Sequence, residues 1–259
     1  MLADGRRHGF FMKNDRRGEF SFVTCATNLQ VLKDRLLSSP CLSAGRYPLT
    51  VHFNAPSAAH GFNATLLAER EKSSHGQFGV AWLVWVHQDV FLPPGWDLVF
   101  EKALTEAQKA FSRLAVVGVY GLEGVGANAQ RAGNVLDRGK LLQEPAQLPC
   151  RADSLDELLF AVRIDSGLQL DPALGFDFYA TDLVLQAQAL GLQSAVLDAF
   201  CEHWSSTPAS GPLSQAVVER IQSSAVAFER KWTQRMPITT PCFHMNKPGD
   251  VAAFLASLI

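Results

Sequence analysis

Residues 80–97, VAWLVWVHQDVFLPPGWD, constrain the fold more than any other part of the chain. Seven consecutive apolar residues, 80–86, stop abruptly at His87, Gln88 and Asp89; two prolines, a glycine and a tryptophan follow. An apolar run of this length, bounded by polar residues and turn formers, predicts a buried strand central in a sheet. The polar triplet then stands at the strand's C-terminal tip, where open α/β sheets bind ligands. An aspartate there, beside a histidine, is placed to hold a hard cation or a metal-bound phosphate. The same side chains would equally serve to satisfy backbone groups of the turn into Pro93 and Pro94.

The segments around it alternate between strand and helix patterns. Residues 20–25 (FSFVTC) are a short β-rich run, and Asn28 can cap a helix with Leu29, Leu32 and Leu36 on one face. Residues 47–54 alternate apolar with polar, and 58–72 carry Phe62, Leu66 and Glu69 on successive helical turns. Trp96, Val99, Phe100, Ala103 and Ala107 mark another helix, and 114–120 (LAVVGVY) another buried strand. This order predicts an α/β fold with a mostly parallel central sheet flanked by helices on both faces. No GxGxxG follows the first strand and no GxxxxGK[ST] occurs, which argues against a dinucleotide-binding Rossmann domain and an ordinary P-loop.

The second half is less regular. Five glycines (Gly121, Gly124, Gly126, Gly133, Gly139), with Asn128, Asn134 and Asp137, predict irregular loop and a hairpin over 121–139. Residues 155–164 fit strand or helix, and 171–178 a loop with aromatic content. A helix over 181–190 is stopped by Gly191, a strand over 194–200 leads into CEHWSS, and helices over 213–232 and 250–259 complete the chain. No repeat or linker divides it, so 20–259 reads as one domain behind a flexible basic arm, 1–19.

Composition narrows the class. The chain of 259 residues is 47% hydrophobic and 19% charged, normal for a soluble globular enzyme. A net charge of −2 gives no basic field for nucleic acid. No apolar run approaches the ~20 residues that span a bilayer, and the N-terminal residues lack the apolar core of a secretory signal. The five cysteines are widely spaced with no CxxC pair, as expected of a reducing cytoplasm.

In order and spacing, FSFVTCATN, SAAHGFNATLLAE, WVHQDVFLPPGWD, VVGVYG, LDELLFAVR, LDPALGFDFYATDLVLQAQALGLQSAVLDAFCEHWS and KWTQRMPI resemble family-2-type glycosyltransferases of the GT-A fold. They are most similar to a bacterial glycosyltransferase-like group with an HQDV element. The resemblance covers residues 20–238. It implies transfer of a sugar from a nucleotide diphosphate donor, most simply a UDP-sugar, to a glycan or lipid-linked acceptor, with Mn²⁺ or Mg²⁺ on the diphosphate. Residues 20–121 would be the nucleotide-binding half and 122–240 the acceptor and catalytic half.

The family's strand-end motif is Asp-x-Asp, and its last aspartate binds the metal. Asp89 matches that position, and His87 stands where the first aspartate is expected. His203 matches a later metal-binding histidine. Asp182 matches the catalytic base at the start of a helix, with Thr181 in place of the preceding glutamate. Thr24, Cys25 and Ala26 match the loop that meets base and ribose, Asn54 a strand end that reads the base, and Asn63 and Gln88 the walls of the nucleotide pocket. Asp156 and Glu157 are placed near the acceptor, where Phe176, Phe178, Tyr179 and Trp204 could stack on a sugar. One base opposite one leaving group implies single displacement with inversion. The resemblance further implies cell-surface polysaccharide assembly, and the lack of an apolar anchor leads to the expectation of a cytoplasmic protein that could touch a membrane-borne acceptor.

Two other classes compete. The departures at His87 and Thr181 would suit a non-catalytic nucleotide-sugar-binding scaffold. A sugar-1-phosphate nucleotidyltransferase shares the early layout but wants a Gly-rich basic loop after the first strand, and TCATN is not one.

Overall fold

The computed structural model describes residues 20–74, 80–205 and 213–257. The expected arm, 1–19, and most of the polar loop 73–79 lie outside these residues. The first half runs β1 (Phe20–Ala26), α1 (Leu29–Asp34), α2 (Pro40–Ser43), β2 (Leu49–Phe53), α3 (Ala58–Ser74), β3 (Trp82–Val86), β4 (Val90–Phe91), α4 (Trp96–Ala110) and β5 (Leu114–Gly118). Next come β6 (Tyr120–Glu123), β7 (Gln130–Asp137), β8 (Lys140–Gln143), β9 (Cys150–Arg151), β10 (Ser154–Leu155) and β11 (Leu159–Arg163). The chain continues with α5 (Tyr179–Ala189), β12 (Gln193–Val196), β13 (Cys201–His203), α6 (Gln215–Trp232), β14 (Ile238–Thr239), β15 (His244–Met245) and α7 (Asp250–Ala256).

β3 lies inside a seven-stranded sheet of order β2-β1-β3-β11-β5-β12-β9. Its five residues are all buried because helices cover both faces. Side chains alternate between the two faces of a strand. Trp82, Val84 and Val86 join Phe20, Phe22, Leu32, Trp96 and Phe100 on the side of α1, α2 and α4. Leu83 and Trp85 join Phe62, Phe160, Tyr179, Leu183 and Phe228 on the side of α3, α5 and α6. Each such large side chain contributes roughly 1.5–3 kcal/mol on burial. The apolar run is therefore continuous, not alternating. The sheet is mixed: β1 runs parallel to β2 and β3, and β5 to β12, while β11 runs antiparallel between β3 and β5.

The glycine-rich stretch 121–139 is mostly strand. β6 and β7 pair antiparallel inside a second sheet of order β10-β6-β7-β13-β4, with β8 on β7. Its glycines permit close approach: a Cβ on Gly121 would strike the Ser154 carbonyl, and one on Gly133 the Val119 carbonyl. Glycine lowers strand propensity, so the pattern read as loop. The ambiguous stretch 155–164 resolves as β11, flanked by β3 and β5. Leu29, expected on the buried face of the first helix, is half exposed at the helix's first position; the helix ends at Asp34, and Leu32 and Leu36 reach the core. Among the described residues no helix is long and apolar enough to cross a membrane.

Candidate metal centre

β3 ends at Val86, and the next three residues turn sharply before β4. The Val90 N–H donates to the His87 carbonyl at 3.2 Å, and the His87 N–H donates to the Leu158 carbonyl at 2.9 Å. β4 pairs antiparallel with β13, setting His203 opposite Val90, and the Trp204 N–H donates to the Asp89 carbonyl at 3.0 Å. The tip of β3 and the end of β13 therefore share one ladder. One ligand atom from each of His87, Asp89 and His203 lies within 4.8 Å of the other two.

His203 Nε2 is 3.5 Å from Asp89 Oδ1, and the His87 and His203 ring centroids are 5.6 Å apart. Two ligands at about 2.1 Å from one ion stand roughly 3–4 Å apart, so 3.5 Å suits a shared ion, and the widest pair would draw in slightly. Burial pulls the His87 pKa down to about 4, which leaves its imidazole neutral and able to bind a metal. Burial also works against a charged His203, but the carboxylates of Asp137 and Asp89 outweigh it and raise the value to about 9. Asp89 is held below the usual carboxylate range: burial opposes this, while the His203 hydrogen bond and both imidazoles favour it. Two imidazoles and one carboxylate suit a first-row divalent ion better than Mg²⁺ or Ca²⁺, which prefer all-oxygen shells.

The other predicted residues are placed as follows. The Gln88 side chain turns toward the loop after β1: Oε1 accepts from the Thr27 and Asn28 N–H groups, both at 3.0 Å, and Nε2 reaches Thr27 Oγ1 at 3.3 Å. It ties that loop to the tip of β3. Thr24 and Ala26 are buried in β1, and Cys25 packs beside Gly61 with its thiol pushed up to about 11 by burial. Asn54 is exposed, in the left-handed region at φ 52, and its N–H donates to the Ala26 carbonyl. Asn63 holds Leu170 through both amide atoms, at 2.8 and 2.9 Å. That bond braces α3 against the loop before α5.

Asp156 Oδ1 accepts from the Leu158 N–H at 3.0 Å, and its charge acts on both His87 and His203. Glu157 is crowded by protein although part of it meets solvent. Desolvation, with Asp177 and Asp156 beside it, holds its carboxyl well above the usual range. Asp182 is fully buried: Oδ1 accepts from Trp232 Nε1 and Lys231 Nζ, both at 2.7 Å, and Oδ2 from Gln186 Nε2 at 2.6 Å. All three of these donors come from helices α5 and α6. Phe178 and Tyr179 are core residues, with Phe178 stacked on Phe228, and Trp204 lies under the Arg35 guanidinium at 4.3 Å.

Sequence reasoning missed three neighbours, Asp137, Asp177 and Arg220, and gave a fourth, Tyr179, the different role of stacking on a sugar. Asp137 accepts from His203 Nδ1 at 2.9 Å, and the Tyr179 hydroxyl meets His87 Nε2 at 2.8 Å. Arg220 grips Asp177 through two bonds at 2.9 and 3.0 Å, and its charge acts on His87 and Glu157. Only Asp137 had a local signal, an Asp-Arg-Gly-Lys hairpin turn; the other three meet the site through long-range packing.

No protein-family model and no curated protein matches the chain. Among solved structures it is similar to A197 from STIV at 10% identity and TM-score 0.40, covering 70% of this chain and 82% of that one. It is also similar to GalNAc-T7 solved with UDP, GalNAc and Mn²⁺, at 11% identity and TM-score 0.45, covering 92% of this chain; it spans 53% of that chain, about half its length. The inositol-1-phosphate CTP transferase from T. maritima gives 12% identity and TM-score 0.32, covering 79% of this chain and 95% of that one. Likeness of this degree decides neither reaction nor substrate.

Proposed function

We propose that the chain is a metal-dependent glycosyltransferase-like protein that binds a nucleoside diphosphate sugar at the tip of β3. The observation that carries this reading is the convergence of His87, Asp89 and His203, beside a loop that Gln88 fastens to the same strand end. In this reading residues 20–121 hold the nucleotide, most simply that of a UDP-sugar, and 122–240 face a glycan or lipid-linked acceptor. The ion supplies Lewis-acid stabilisation of the leaving diphosphate. The three side chains would hold it, and their nitrogen-rich donor set favours Mn²⁺ over Mg²⁺. Direct displacement by the acceptor hydroxyl, its proton passing to an acceptor-side carboxylate such as Asp156 while the diphosphate leaves, would invert the anomeric carbon.

The sealed carboxylate of Asp182 favours a second reading, a nucleotide-sugar-binding scaffold without turnover. One experiment separates the two. Thermal-shift and calorimetric titration with UDP and UDP-sugars, with and without Mn²⁺, tests binding, and release of UDP from the sugar tests turnover. Mn²⁺-dependent binding with UDP release supports the transferase. Binding without release, over a panel of sugar acceptors, supports the scaffold. No Mn²⁺-dependent stabilisation by any nucleotide overturns both.

A further inference from the structure

Each of the two histidines of the candidate centre is held through one ring nitrogen by a residue outside the cluster. His203 is the register partner of Asp137 in the parallel β13–β7 ladder, and its Nδ1 lies 2.9 Å from Asp137 Oδ1. Asp137 is itself fixed: Oδ2 accepts from Arg138 Nε at 2.8 Å and Nη2 at 2.6 Å. Arg138 and Gly139 both have positive φ, 50 and 79, forming the tight turn between β7 and β8, and the Arg138 N–H donates to the His203 carbonyl at 2.8 Å. The aspartate is thus built into the turn, and the turn is bonded to the histidine's own backbone.

His87 is held by a different device. Its Nε2 lies 2.8 Å from the hydroxyl of Tyr179, the first residue of α5. The Tyr179 ring is 1% exposed and packs edge-on against Trp85 at 5.5 Å. A buried phenol oxygen of this kind is a fixed partner, unable to turn to solvent.

Building on the metal reading above, we propose that Asp137 and Tyr179 are positioning residues that set the two imidazoles so that their remaining nitrogens face Asp89. Asp137 takes the Nδ1–H of His203, so the nitrogen from which an ion displaces a proton is Nε2, on the side where Asp89 Oδ1 stands 3.5 Å away. In this assignment His87 takes the tautomer whose Nε2–H donates to the Tyr179 oxygen at 2.8 Å, which leaves the Nδ1 lone pair free. The histidines therefore bind through opposite ring nitrogens. Outer partners of this kind fix tautomer and ring orientation, and their loss costs about 10–100-fold in metal affinity.

The test uses the full chain and Mn²⁺ alone. Tyr179→Phe keeps the packed ring, and Asp137→Asn keeps the shape of the carboxylate. Calorimetric titration is expected to show each variant binding Mn²⁺ at least tenfold more weakly. Thermal unfolding of metal-free Tyr179→Phe is expected to stay near wild type. Pulsed electron spin resonance of the Mn²⁺ form reports the coordinated imidazole nitrogens directly; two in the wild type and a changed pattern in either variant support the assignment. Wild-type affinity and an unchanged nitrogen pattern in both variants would overturn it, with the metal centre left standing. Absence of Mn²⁺ binding by the wild type, or unaltered binding by His203→Ala, would overturn the metal reading and the positioning roles together.

Discussion

Lys231 of α6 stands 2.7 Å from the fully buried carboxylate of Asp182 in the first turn of α5. The same amine bonds Asp171 at 2.8 Å, so one lysine fastens α6 to α5 and to the loop before it. With Trp232 and Gln186 also donating, the carboxylate is built as a clamp between helices. Asp182→Asn keeps the shape but removes the charge, and Asp182→Ala removes the partner of three donors. Losing a charge-assisted bond costs about 1.5–3 kcal/mol. Denaturant unfolding should therefore show a clear loss for Asn and a larger one for Ala, with Mn²⁺ and UDP binding by the folded fraction retained. Unchanged stability in both variants would refute the clamp.

Asp89 is the one anionic member of the candidate metal centre. Asp89→Ala should abolish Mn²⁺-dependent UDP binding, because two neutral imidazoles hold a hard ion poorly. Calorimetry at neutral pH is the check, and retained Mn²⁺-dependent affinity would exclude its ligand role.

The His203 value near 9 lies above its ordinary 6.5, and this fixes the sign of two pH effects. A base whose folded value is raised adds stability that is fully present below about 6.5 and lost as pH climbs through about 9. Metal-free protein should lose this contribution over that window, and His203→Gln should flatten the dependence. An ion must displace the His203 proton, so Mn²⁺ affinity should move the other way, rising about tenfold per pH unit below 9. Titrations at pH 6.5, 7.5 and 8.5 test this directly.

Glu157 is an acid whose folded value is raised by desolvation and by its neighbours Asp177 and Asp156. Above its ordinary 4.5 the unfolded chain ionises freely while the fold resists, so the side chain increasingly destabilises the native state as pH rises. Glu157→Gln should raise Tm at pH 7–8 and leave it nearly unchanged at pH 4. A lower Tm at neutral pH would show that the carboxylate is favourably paired there.

Gln88 makes its contacts to the loop after β1, so its loss should be felt by the nucleotide and not by the ion. Gln88→Ala removes three hydrogen bonds of about 1 kcal/mol each, part of which water replaces. UDP affinity in the presence of Mn²⁺ should fall about tenfold, while the Mn²⁺ affinity of the nucleotide-free protein stays unchanged.

These residues show how far the sequence could be read. The strand at 82–86 and its polar tip were legible because burial on both faces leaves an uninterrupted apolar run, which no exposed element carries. Asn28 was legible as a cap, and it accepts from Gln30 and Val31. His203 entered only through family resemblance, since nothing in CEHWSS marks its register against Val90. The hairpin expected in the Gly121–Gly139 region is present as β6 and β7, but the expected loop is largely strand, because Gly121 and Gly133 serve close backbone contact while Gly139 serves a turn. Asp182 stands where the resemblance puts the base, yet two of its three partners, Lys231 and Trp232, lie on α6 far along the chain, beyond any local pattern. Asn63 likewise spends its amide on Leu170, a pairing that periodicity cannot show.

The short ladder between β4 and β13 has a thermodynamic consequence. Asp89 and His203 are more than a hundred residues apart in sequence, and one belongs to the strand end of the first sheet while the other lies in the second. An ion shared between them acts as a reversible crosslink that closes a long loop. The unfolded chain cannot preassemble such a site, so the free energy of holding the ion is added to that of folding. Occupancy would then be registered in how cooperatively the two sheets unfold, well away from the residues that touch the ion.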